Sequence, residues 1–593
     1  MSEINYSVKY FAKVHIIFEK MRNFAFYFSK KMSASDKLLE VSDLTVSFRD
    51  EKKGWRKVVD GVSYQLERGQ TLGIVGESGS GKSVSTLALM GLLPSDTKVS
   101  GSAIFGPEGT DLLTLGEQEF RAIRGRRISM VFQEPMTSLN PVQKCGAQVV
   151  EMLMQHVNTS TYQHINISTK EARQRVIDLF KEVKLPRPEK IFDSYPHEIS
   201  GGQKQRVMIA MALVNNPDII IADEPTTALD VTVQKTILEL LRALQKKHGI
   251  SIIFITHDLG VIAQIADEIL VMYQGKVVEQ GAAYSILHSP QHPYTQNLLA
   301  SRPSTANSQQ PIANVDAAGM PPLLSVRNLN VEYVLKKSLL GRPLQKLKAV
   351  DGISFDLYRG ETLGLVGESG CGKTTLGRAL LRLIESRSEQ ITFDGQRLDK
   401  MSQREIRQLR TKMQIIFQDP YSSLNPRLTV GEAICEPLRV HQPTAKGQRP
   451  KAKGQKPKAQ KEQVIELMER VGLKGEWYNR YPHQFSGGQR QRICIARALI
   501  LNPELVICDE SVSALDVTVQ AQVLKLLNEL KEQFGYTYIF ISHDLEVVHS
   551  IADRIMVMRG GRMVEMGDTD TIYNTPADPY TRTLLEAIPR IEN

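Results

Sequence analysis

At 593 residues the chain is too long for a single hydrophobic core, which predicts several domains. A hydrophobic content of 41% and a charged content of 23% are typical of a globular protein, and no stretch approaches the roughly 20 uninterrupted apolar residues of a membrane-spanning helix. The net charge of +9 is concentrated in residues 443–461, with seven Lys or Arg and no acid, and in residues 1–36, with six against three acids. The remainder is close to neutral, which argues against a basic surface for nucleic acid.

The first predicted element is an N-terminal extension at residues 1–36. Apolar side chains at spacings of three and four, with lysines nearby, predict an amphipathic helix over residues 6–28 that suits an anionic membrane surface. Charges interrupt every apolar run, which argues against a signal peptide. An alternative interpretation is a misassigned start, because Met32 opens naturally before the first predicted strand.

Four sequence motifs occur twice, at offsets between 285 and 291 residues. A period of this length indicates a duplicated domain and not the short unit of a solenoid. We therefore expect a first copy at 37–300 and a second copy at 322–593, joined by a flexible Ser/Pro/Ala/Asn-rich linker at 301–321. The paired motifs are VGESGSGKS (75–83) with VGESGCGKT (366–374), FQEPMTSLNP (132–141) with FQDPYSSLNP (417–426), SGGQKQR (200–206) with SGGQRQR (486–492), and ITHDLGV (255–261) with ISHDLEV (541–547).

Short apolar runs alternate with helical patterns in each copy. Such runs are typical of strands buried in a parallel sheet, and their alternation with helices predicts an α/β fold. The predicted strands are TLGIV (71–75), DIIIAD (218–223) and SIIFIT (251–256) in the first copy, and TLGLV (362–366), ELVICD (504–509) and TYIFIS (537–542) in the second.

The first motif of each copy matches GxxxxGKS/T between a predicted strand and a predicted helix. Its glycines let the backbone wrap a phosphate chain, whose charge meets N–H groups at the helix N-terminus. We expect Lys82 and Lys373 to hold the β- and γ-phosphates of ATP, and Ser83 and Thr374 to bind Mg²⁺. The predicted phosphate loops comprise Gly76, Glu77, Ser78, Gly79, Ser80, Gly81, Lys82 and Ser83 in the first copy, and Gly367, Glu368, Ser369, Gly370, Cys371, Gly372, Lys373 and Thr374 in the second.

Two adjacent acids end one buried strand of each copy. Ligands of α/β sheets bind at this C-terminal edge of the strands. We expect Asp223 and Asp509 to support Mg²⁺, and Glu224 and Glu510 to polarise the attacking water.

The order and spacing of the remaining motifs resemble the ATP-binding-cassette (ABC) family over nearly all of residues 37–593. The Ser-Gly-Gly-Gln runs resemble its signature motif, although Ile199 and Phe485 precede them where Leu is usual. The resemblance also implies a Q-loop glutamine that senses Mg²⁺ and the transmembrane partner, a switch histidine near the γ-phosphate, a D-loop and an adenine-stacking aromatic. The matching residues are Ser200, Gly201, Gly202, Gln203, Ser486, Gly487, Gly488 and Gln489 (signature), Gln133 and Gln418 (Q-loop), His257 and His543 (switch), Asp230 and Asp516 (D-loop), and Phe48 and Tyr333 (adenine).

This resemblance implies two ABC-type P-loop ATPase domains in tandem, each a RecA-like mixed sheet core with a helical subdomain, packed head-to-tail. Each ATP would lie between the phosphate loop of one copy and the signature of the other, so that Lys82 and Glu224 share a nucleotide with Ser486. Both copies keep the glutamate, the histidine and the glutamine, so we expect two hydrolytic sites that use ATP and Mg²⁺.

Both copies end in similar tails, SPQHPYTQNLLAS (289–301) and TPADPYTRTLLEAIP (575–589). These tails resemble the peptide, opine and nickel uptake branch of the family, and the insert at 334–355 resembles the second ATPase of dipeptide and oligopeptide importers. The resemblance implies an importer of small peptides (dipeptide, oligopeptide or glutathione class) at the cytoplasmic face of the inner membrane, with two permease subunits and an extracytoplasmic binding protein. The alternative is a soluble tandem cassette protein that acts on ribosomes, but residues 301–321 lack the long charged helix of such proteins.

The five cysteines are scattered without metal-ligand spacing, which is typical of a reducing cytoplasm. Some ATPases of the branch that this chain resembles carry a Cys-rich extension after the tail, which binds an iron–sulfur cluster. No cysteine follows Cys508 here, so we expect no cluster. One cysteine lies in the second phosphate loop where the first has Ser80, and we interpret it as an inert small residue; the alternative is a reactive thiol, because a helix N-terminus lowers a thiol pKa. The cysteines are Cys145, Cys371, Cys435, Cys494 and Cys508.

The Lys/Gly/Pro/Gln-rich segment at 443–461 has too few apolar residues to join a core. Its composition predicts a disordered, solvated loop within the second copy, with contact to a membrane surface as the alternative.

Overall fold

A computed structural model describes most of both copies. The predictions made for residues 1–36 and 302–320 lie outside the described residues. The structure describes residues 37–50, 54–133, 138–157, 168–227, 229–301, 321–337, 343–441, 455–513, 515–589 and 591.

Two sheets form the framework of the first copy. Their strands are β1 (Lys37–Asp50), β2 (Gly54–Glu67), β3 (Thr71–Val75), β4 (Thr97–Phe105), β5 (Thr110–Asp111), β6 (Ile128–Val131), β7 (Ile219–Asp223), β8 (Ser251–Thr256), β9 (Glu268–Tyr273) and β10 (Lys276–Ala282). A four-stranded antiparallel sheet has the order β2-β1-β4-β5, and a six-stranded sheet has the order β10-β9-β3-β8-β7-β6. In the six-stranded sheet β6, β7, β8, β3 and β9 are parallel, while β10 pairs with β9 in the antiparallel sense.

The central strands of the larger sheet are covered on both faces. Every residue of β3, β7 and β8 is buried, as expected for continuous apolar runs in a parallel sheet. Alternate residues face different cores: Ile253 packs with the antiparallel sheet, whereas Ile252 packs with helices. The sequence predictions for β3 and β8 are confirmed to the residue, and β7 starts one residue later than predicted.

Helices complete the first copy. The helices that follow β6 pack against one another and form a helical subdomain that includes α3 to α6. The helices are α1 (Lys82–Leu89), α2 (Glu117–Ile123), α3 (Cys145–Val157), α4 (Thr169–Glu182), α5 (Pro188–Asp193), α6 (Gly201–Leu213), α7 (Val231–His248), α8 (Leu259–Ala263), α9 (Ala283–His288) and α10 (Pro293–Ala300), with short 3₁₀ turns at Leu112–Thr114 and Pro196–Glu198.

The second copy repeats both sheets, in the orders β12-β11-β14-β15 and β16-β17-β18-β13-β19-β20. Its predicted strands at 362–366 and near 505 and 537 are confirmed. The strands are β11 (Leu324–Lys337), β12 (Pro343–Leu357), β13 (Thr362–Val366), β14 (Gln390–Phe393), β15 (Gln396–Arg397), β16 (Met413–Ile416), β17 (Leu505–Asp509), β18 (Thr537–Ile541), β19 (Arg554–Arg559) and β20 (Arg562–Asp568).

The helices of the second copy have the same order as those of the first. They are α11 (Lys373–Leu380), α12 (Gln403–Leu409), α13 (Pro420–Ser423), α14 (Val430–His441), α15 (Gln455–Arg470), α16 (Gly487–Leu499), α17 (Val517–Phe534), α18 (Leu545–His549), α19 (Thr569–Asn574) and α20 (Pro579–Glu586), with 3₁₀ turns at Leu398–Lys400, Gly475–Asn479 and Pro482–Gln484.

Helix α15 corrects the predicted loop at 443–461. It begins at Gln455, so the last seven residues of the predicted loop are helical. The physical reason lies beyond the basic segment, where Val464 and Met468 are fully buried four residues apart and fix the helix against the core. Residues 442–454, the rest of the predicted loop, lie outside the described residues.

The fold class is confirmed: two α/β domains lie in tandem, each with a mixed sheet, an antiparallel sheet and a helical subdomain. Among the helices of the described residues, none has both the length and the apolar character needed to cross a bilayer.

Candidate active site

The candidate site residues of the first copy follow three adjacent strands. The phosphate loop follows β3, His257 follows β8, and Asp223 and Glu224 end and follow β7; the strands lie side by side in the order β3-β8-β7. Because parallel strands place their carboxyl ends at one edge, these side chains converge there. The second copy repeats the arrangement with β13, β18 and β17.

The phosphate loops have a backbone that requires glycine. Gly81 and Gly372 precede the loop helices with φ of 98° and 109°, in the left-handed region. A Cβ at Gly81 would collide with the main-chain oxygen of Val58, and one at Gly372 with that of Ala349. The loops therefore come close to a neighbouring chain segment in a shape that only glycine allows.

The two loop lysines turn inward. Lys82 Nζ donates to the main-chain oxygens of Gly76 at 2.6 Å and Glu77 at 2.8 Å. Lys373 Nζ makes the equivalent bonds, to Gly367 at 2.5 Å and Glu368 at 3.0 Å. Burial lowers the pKa of Lys82, although the neighbouring carboxylates of the site oppose this shift. Each lysine is thus held in the loop by carbonyl oxygens that a phosphate oxygen can replace as its partner.

A hydroxyl and a carboxylate meet beside each loop. Ser83 Oγ donates to Asp223 Oδ1 at 2.9 Å, and Thr374 Oγ1 donates to Asp509 Oδ1 at 2.7 Å. Burial raises the pKa of Asp223 to about 6 and also raises the pKa of Asp509. Burial makes the ionised form of each aspartate less stable, and a cation bound nearby would stabilise it. Hydroxyl and carboxylate oxygens are ligands that Mg²⁺ prefers.

The glutamates after these aspartates have an unusual backbone. Glu224 and Glu510 both have φ of 45°, a left-handed conformation that non-glycine residues rarely adopt. Their N–H groups donate to Ile255 O at 2.9 Å and Ile541 O at 3.0 Å on the adjacent strands. The neighbouring strand therefore fixes the direction in which each carboxylate leaves the sheet.

Three side chains surround the carboxylate of Glu224. Gln133 Nε2 and Thr227 Oγ1 each donate to Oε2 at 2.9 Å, and His257 Nδ1 lies 3.3 Å from Oε1. Burial opposes ionisation, but the hydrogen bond and charge of His257 outweigh it and lower the pKa of Glu224 to about 2. The pKa of His257 is raised, because its contact with Glu224 outweighs its burial. The carboxylate is therefore ionised and oriented.

The carboxylate of Glu510 has fewer direct partners. Gln418 Nε2 donates to its Oε2 at 2.7 Å, but His543 Nδ1 lies 3.9 Å away, too far for a hydrogen bond. Ser513, at the position of Thr227, donates to the main-chain oxygen of Glu510 at 3.0 Å and not to its carboxylate. Burial again opposes ionisation, while His543 and Lys373 lower the pKa of Glu510.

The signature residues form the first turns of two helices. Ser200 caps α6 and Ser486 caps α16, each serine oxygen accepting from the N–H of the glutamine three residues later. In return, the serine N–H groups donate to the side-chain Oε1 of these glutamines, Gln203 and Gln489, at 3.1 Å. The free N–H groups and dipole of such a helix start favour an anion. The glycines of the first turns are Gly201, Gly202, Gly487 and Gly488.

The two copies contact each other at their phosphate loops. Thr518 Oγ1 of the second copy donates to Glu77 Oε1 at 2.8 Å, and Thr232 Oγ1 of the first copy donates to Glu368 Oε1 at 3.3 Å. Both threonines lie in the first turn of a helix capped by a D-loop aspartate, Asp516 on α17 and Asp230 on α7. Each phosphate loop therefore lies against the D-loop region of the other copy.

A cavity of about 120 Å³ lies between the copies. Its lining includes both switch histidines, His257 and His543, together with residues from both D-loop regions. The two candidate sites thus face one shared space.

The structure places the two predicted adenine-stacking residues on equivalent strands with unequal exposure. Phe48 on β1 packs partly against the hydrophobic core, whereas Tyr333 on β11 is 41% exposed. No contact described for either residue tests adenine stacking, so that role stays a prediction.

The structure favours the interpretation of Cys371 as an inert small residue over the alternative of a reactive thiol. Its side chain is 6% exposed, and burial raises the pKa of the thiol although Lys373 opposes the shift. The physical reason is that the side chain packs in the hydrophobic core beneath the loop, where Lys373 Nζ lies 3.9 Å from its Sγ but burial outweighs the effect of this cation.

Sequence reasoning missed five residues at these sites. A paired signal existed for four of them, because the DVTVQ run after each D-loop and the PYT run in each tail occur in both copies. The missed residues are Thr227, Thr232 and Thr518, described above, and the tail tyrosines Tyr294 and Tyr580, whose hydroxyls accept from phosphate-loop N–H groups.

Comparison with known proteins agrees with this geometry. The sequence profile of the ABC transporter family matches residues 59–227 and 350–513. The profile described as the oligopeptide/dipeptide transporter C-terminal region matches residues 278–327 and 564–593. The chain therefore belongs to the ABC transporter family, and it is an ABC-type ATPase with two cassettes.

Particular relatives match nearly the whole chain. The glutathione import ATP-binding protein GsiA of Escherichia coli O6:H1 (strain CFT073) is 46% identical over 589 residues, 95% of this chain and 91% of the relative. GsiA of Shigella dysenteriae serotype 1 is 47% identical over 581 residues, 94% of this chain and 90% of the relative. Among solved structures, a dimeric bacterial ABC transporter cassette aligns at 28% identity with a TM-score of 0.37, covering 42% of this chain and 99% of that one. The ribosome alternative gains no support from these relatives.

Proposed function

We propose that this chain is the ATP-hydrolysing subunit of an importer for small peptides such as glutathione, with two ATP sites shared between its copies. The observation that carries the proposal is the reciprocal contact of Glu77 with Thr518 and of Glu368 with Thr232. This contact sets each phosphate loop against the opposite copy, where a nucleotide can join the two. The names of the relatives, glutathione import ATP-binding proteins, support the solute class.

Hydrolysis in the first site rests on two residues of opposite charge. Lys82 exchanges its loop carbonyl partners for the β- and γ-phosphates, whose charge also meets the N-terminus of α1. Glu224, ionised and held by Gln133 and His257, orients and polarises the attacking water. The second site uses Lys373 and Glu510 in the same roles.

The same sites suit Mg²⁺. Ser83 with Asp223, and Thr374 with Asp509, supply adjacent oxygen donors, and the Q-loop glutamines Gln133 and Gln418 lie nearby through their contacts with the glutamates. Mg²⁺ held by these residues would neutralise negative charge on the phosphates of ATP.

The signature of the opposite copy completes each site. We propose that Ser486 and the start of α16 face the nucleotide held by Lys82, and that Ser200 and the start of α6 face the one held by Lys373. ATP then stabilises the paired copies more than ADP does, because the γ-phosphate provides the contact across the interface. Such a difference in affinity is what lets hydrolysis drive a conformational change.

Solute passage requires a partner that crosses the membrane. We propose that two permease subunits and an extracytoplasmic binding protein complete the importer, with this chain peripheral at the cytoplasmic face of the inner membrane. The segment after the second Q-loop supports a docking role, since α13 follows Gln418 directly and its Tyr421 is 63% exposed. We also propose that residues 37–300 and 322–593 are the bounds of the two ATPase domains.

Reconstitution into lipid vesicles tests the import function. Vesicles that contain the chain, its permease pair and the binding protein are expected to transport labelled glutathione or a dipeptide only when ATP is supplied on the side of this chain. The matched control is the chain with Glu224→Gln and Glu510→Gln. Uptake that is the same with and without ATP would contradict the proposal, and stable binding to ribosomes in place of the permease would favour the rival class.

A further inference from the structure

The tail of each copy is tied to the last strand of the sheet. In the first copy the carboxylate of Glu279 on β10 accepts from the N–H groups of Gln291 at 2.7 Å and His292 at 3.2 Å, just before α10. This bond fixes where the tail helix begins. The equivalent bonds of the second copy run to Glu565 from Ala577 at 2.7 Å and Asp578 at 3.2 Å.

The anchored tail brings a tyrosine to the phosphate loop. The N–H of Glu77 donates to the hydroxyl oxygen of Tyr294 at 3.0 Å, and the N–H of Glu368 donates to that of Tyr580 at 3.2 Å. Burial raises the pKa of both tyrosines to about 12, further above physiological pH than the ordinary value. The same hydrogen bond occurs in both copies, which argues against an accidental contact between the tail tyrosine and the phosphate loop.

Different side chains hold the two tyrosine rings. The ring of Tyr294 lies 4.2 Å from that of Tyr273, centroid to centroid, whereas the guanidinium of Arg559 lies 4.7 Å from the ring of Tyr580. Tyr273 and Arg559 both end the ninth strand of their copy, β9 and β19. Both arrangements restrict the ring, so the hydroxyl is presented to the loop at a fixed point.

The glutamate that each tyrosine holds has two further contacts. The main-chain oxygen of Glu77 accepts from Lys82 Nζ at 2.8 Å, and its carboxylate accepts from Thr518 of the other copy at 2.8 Å. One residue therefore joins its own tail, its own loop lysine and the opposite copy. The second copy repeats this junction with Glu368, Lys373 and Thr232.

We propose that Tyr294 and Tyr580 are positioning residues for ATP hydrolysis, each holding the backbone of its loop glutamate so that the carboxylate reaches the threonine of the opposite copy. The inference rests on the proposed role of the phosphate loops. The tail would then contribute to ATP hydrolysis, because its tyrosine contacts the same glutamate that contacts the opposite copy.

Removing one hydroxyl tests the proposal. Tyr294→Phe keeps the ring and loses the bond to Glu77, so in the full chain with its permease pair we expect kcat/KM for ATP to fall about three- to tenfold. The control is Tyr284→Phe in the same tail region, where the tyrosine is 71% exposed and stacks on His288. The control is expected to stay within about twofold of the unmodified chain.

A double-mutant cycle separates positioning from a general structural role. Tyr294 and Thr518 act on the same glutamate, so Tyr294→Phe with Thr518→Val is expected to lose less than the product of the two single losses. Tyr294→Phe with Thr232→Val, at the other junction, is expected to lose the full product. Should Tyr294→Phe fail to fold, Thr518→Val alone is expected to lower kcat/KM by a similar factor.

The outcomes are distinguishable. If the unmodified chain hydrolyses ATP and Tyr294→Phe matches Tyr284→Phe, the positioning role is wrong while the proposed function stands. The positioning role is also wrong if Tyr294→Phe with Thr518→Val loses the full product of the two single losses, as Tyr294→Phe with Thr232→Val is expected to do. If the unmodified chain with its permease hydrolyses no ATP, the proposed function fails and this inference fails with it.

Discussion

The two proposed catalytic glutamates lie in equivalent places but have different neighbours. Glu224 accepts a hydrogen bond from Thr227 and has His257 at 3.3 Å. Glu510 has no bond from the equivalent Ser513, whose hydroxyl goes to the main chain, and its histidine lies 3.9 Å away. The residue at this position is Thr in PTTALD after Glu224 and Ser in SVSALD after Glu510.

Matching motifs therefore do not give matching sites. Both copies carry every proposed ATPase residue, yet the hydroxyl three positions after the glutamate donates to the carboxylate in the first copy and to the main chain in the second. We therefore expect the first site, with Glu224, to hold its attacking water more rigidly and to turn over faster than the second.

Replacing both glutamates is expected to reduce ATP turnover more than any other change. Glu224→Gln with Glu510→Gln should lower ATP turnover by about 10²–10⁴-fold, because no carboxylate is left to polarise water. ATP binding, measured with a fluorescent analogue, should remain. Glu239→Gln, an exposed glutamate on α7, is the matched control and should leave turnover unchanged. Near-normal hydrolysis in the double variant would refute the assignment of both residues.

The two switch histidines are expected to differ in their effect on turnover. His257→Ala removes a direct contact with an ionised carboxylate, so we expect a loss of about tenfold to a hundredfold in turnover. His543→Ala removes a longer contact and should cost less. Steady-state hydrolysis by the two single variants, purified with the permease, measures the difference, and equal losses would show that the two distances have no functional meaning.

The hydroxyl beside each glutamate should have a smaller effect. Thr227→Val leaves the shape and removes the donor to Glu224, which should lower turnover about three- to tenfold. Ser513→Ala removes a hydroxyl that reaches only the main chain, so its turnover should change by less than about twofold. The same hydrolysis assay compares them. A larger loss in Ser513→Ala would reverse the assignment of the faster site.

The smallest expected effect concerns Cys371, which replaces Ser80 of the first loop. Because burial raises the pKa of its thiol, little thiolate forms near neutral pH, and maleimide should label the native chain slowly. Labelling should accelerate as the pH rises toward the raised pKa, since the thiolate is the reactive form. Cys371→Ser is the control and should keep normal hydrolysis; rapid labelling of Cys371 at pH 7 would contradict the buried position.

The sequence predicted the central strands and the order of the site because both depend on local pattern. The buried runs of β3 and β8 were predicted to the residue, and the motifs at their ends meet as expected. The bond of Tyr294 to Glu77 was not predictable, since it joins residues 217 positions apart and depends on how the tail folds back. The sequence left two interpretations of Cys371 open for a related reason, because spacing does not reveal whether a loop side chain is buried.

Helix α15 illustrates a different limit. Composition predicted a loop through residue 461, but the apolar spacing after it, and not the basic segment itself, sets the start of the helix at Gln455. Composition describes a segment, whereas the boundary depends on packing outside it.

The most direct test of the shared sites is an experimental structure of the Glu224→Gln and Glu510→Gln chain with its permease, ATP and Mg²⁺. The account predicts two nucleotides, one between Lys82 and Ser486 and the other between Lys373 and Ser200. Nucleotides that each contact a single copy, with the signature serines facing solvent, would contradict it.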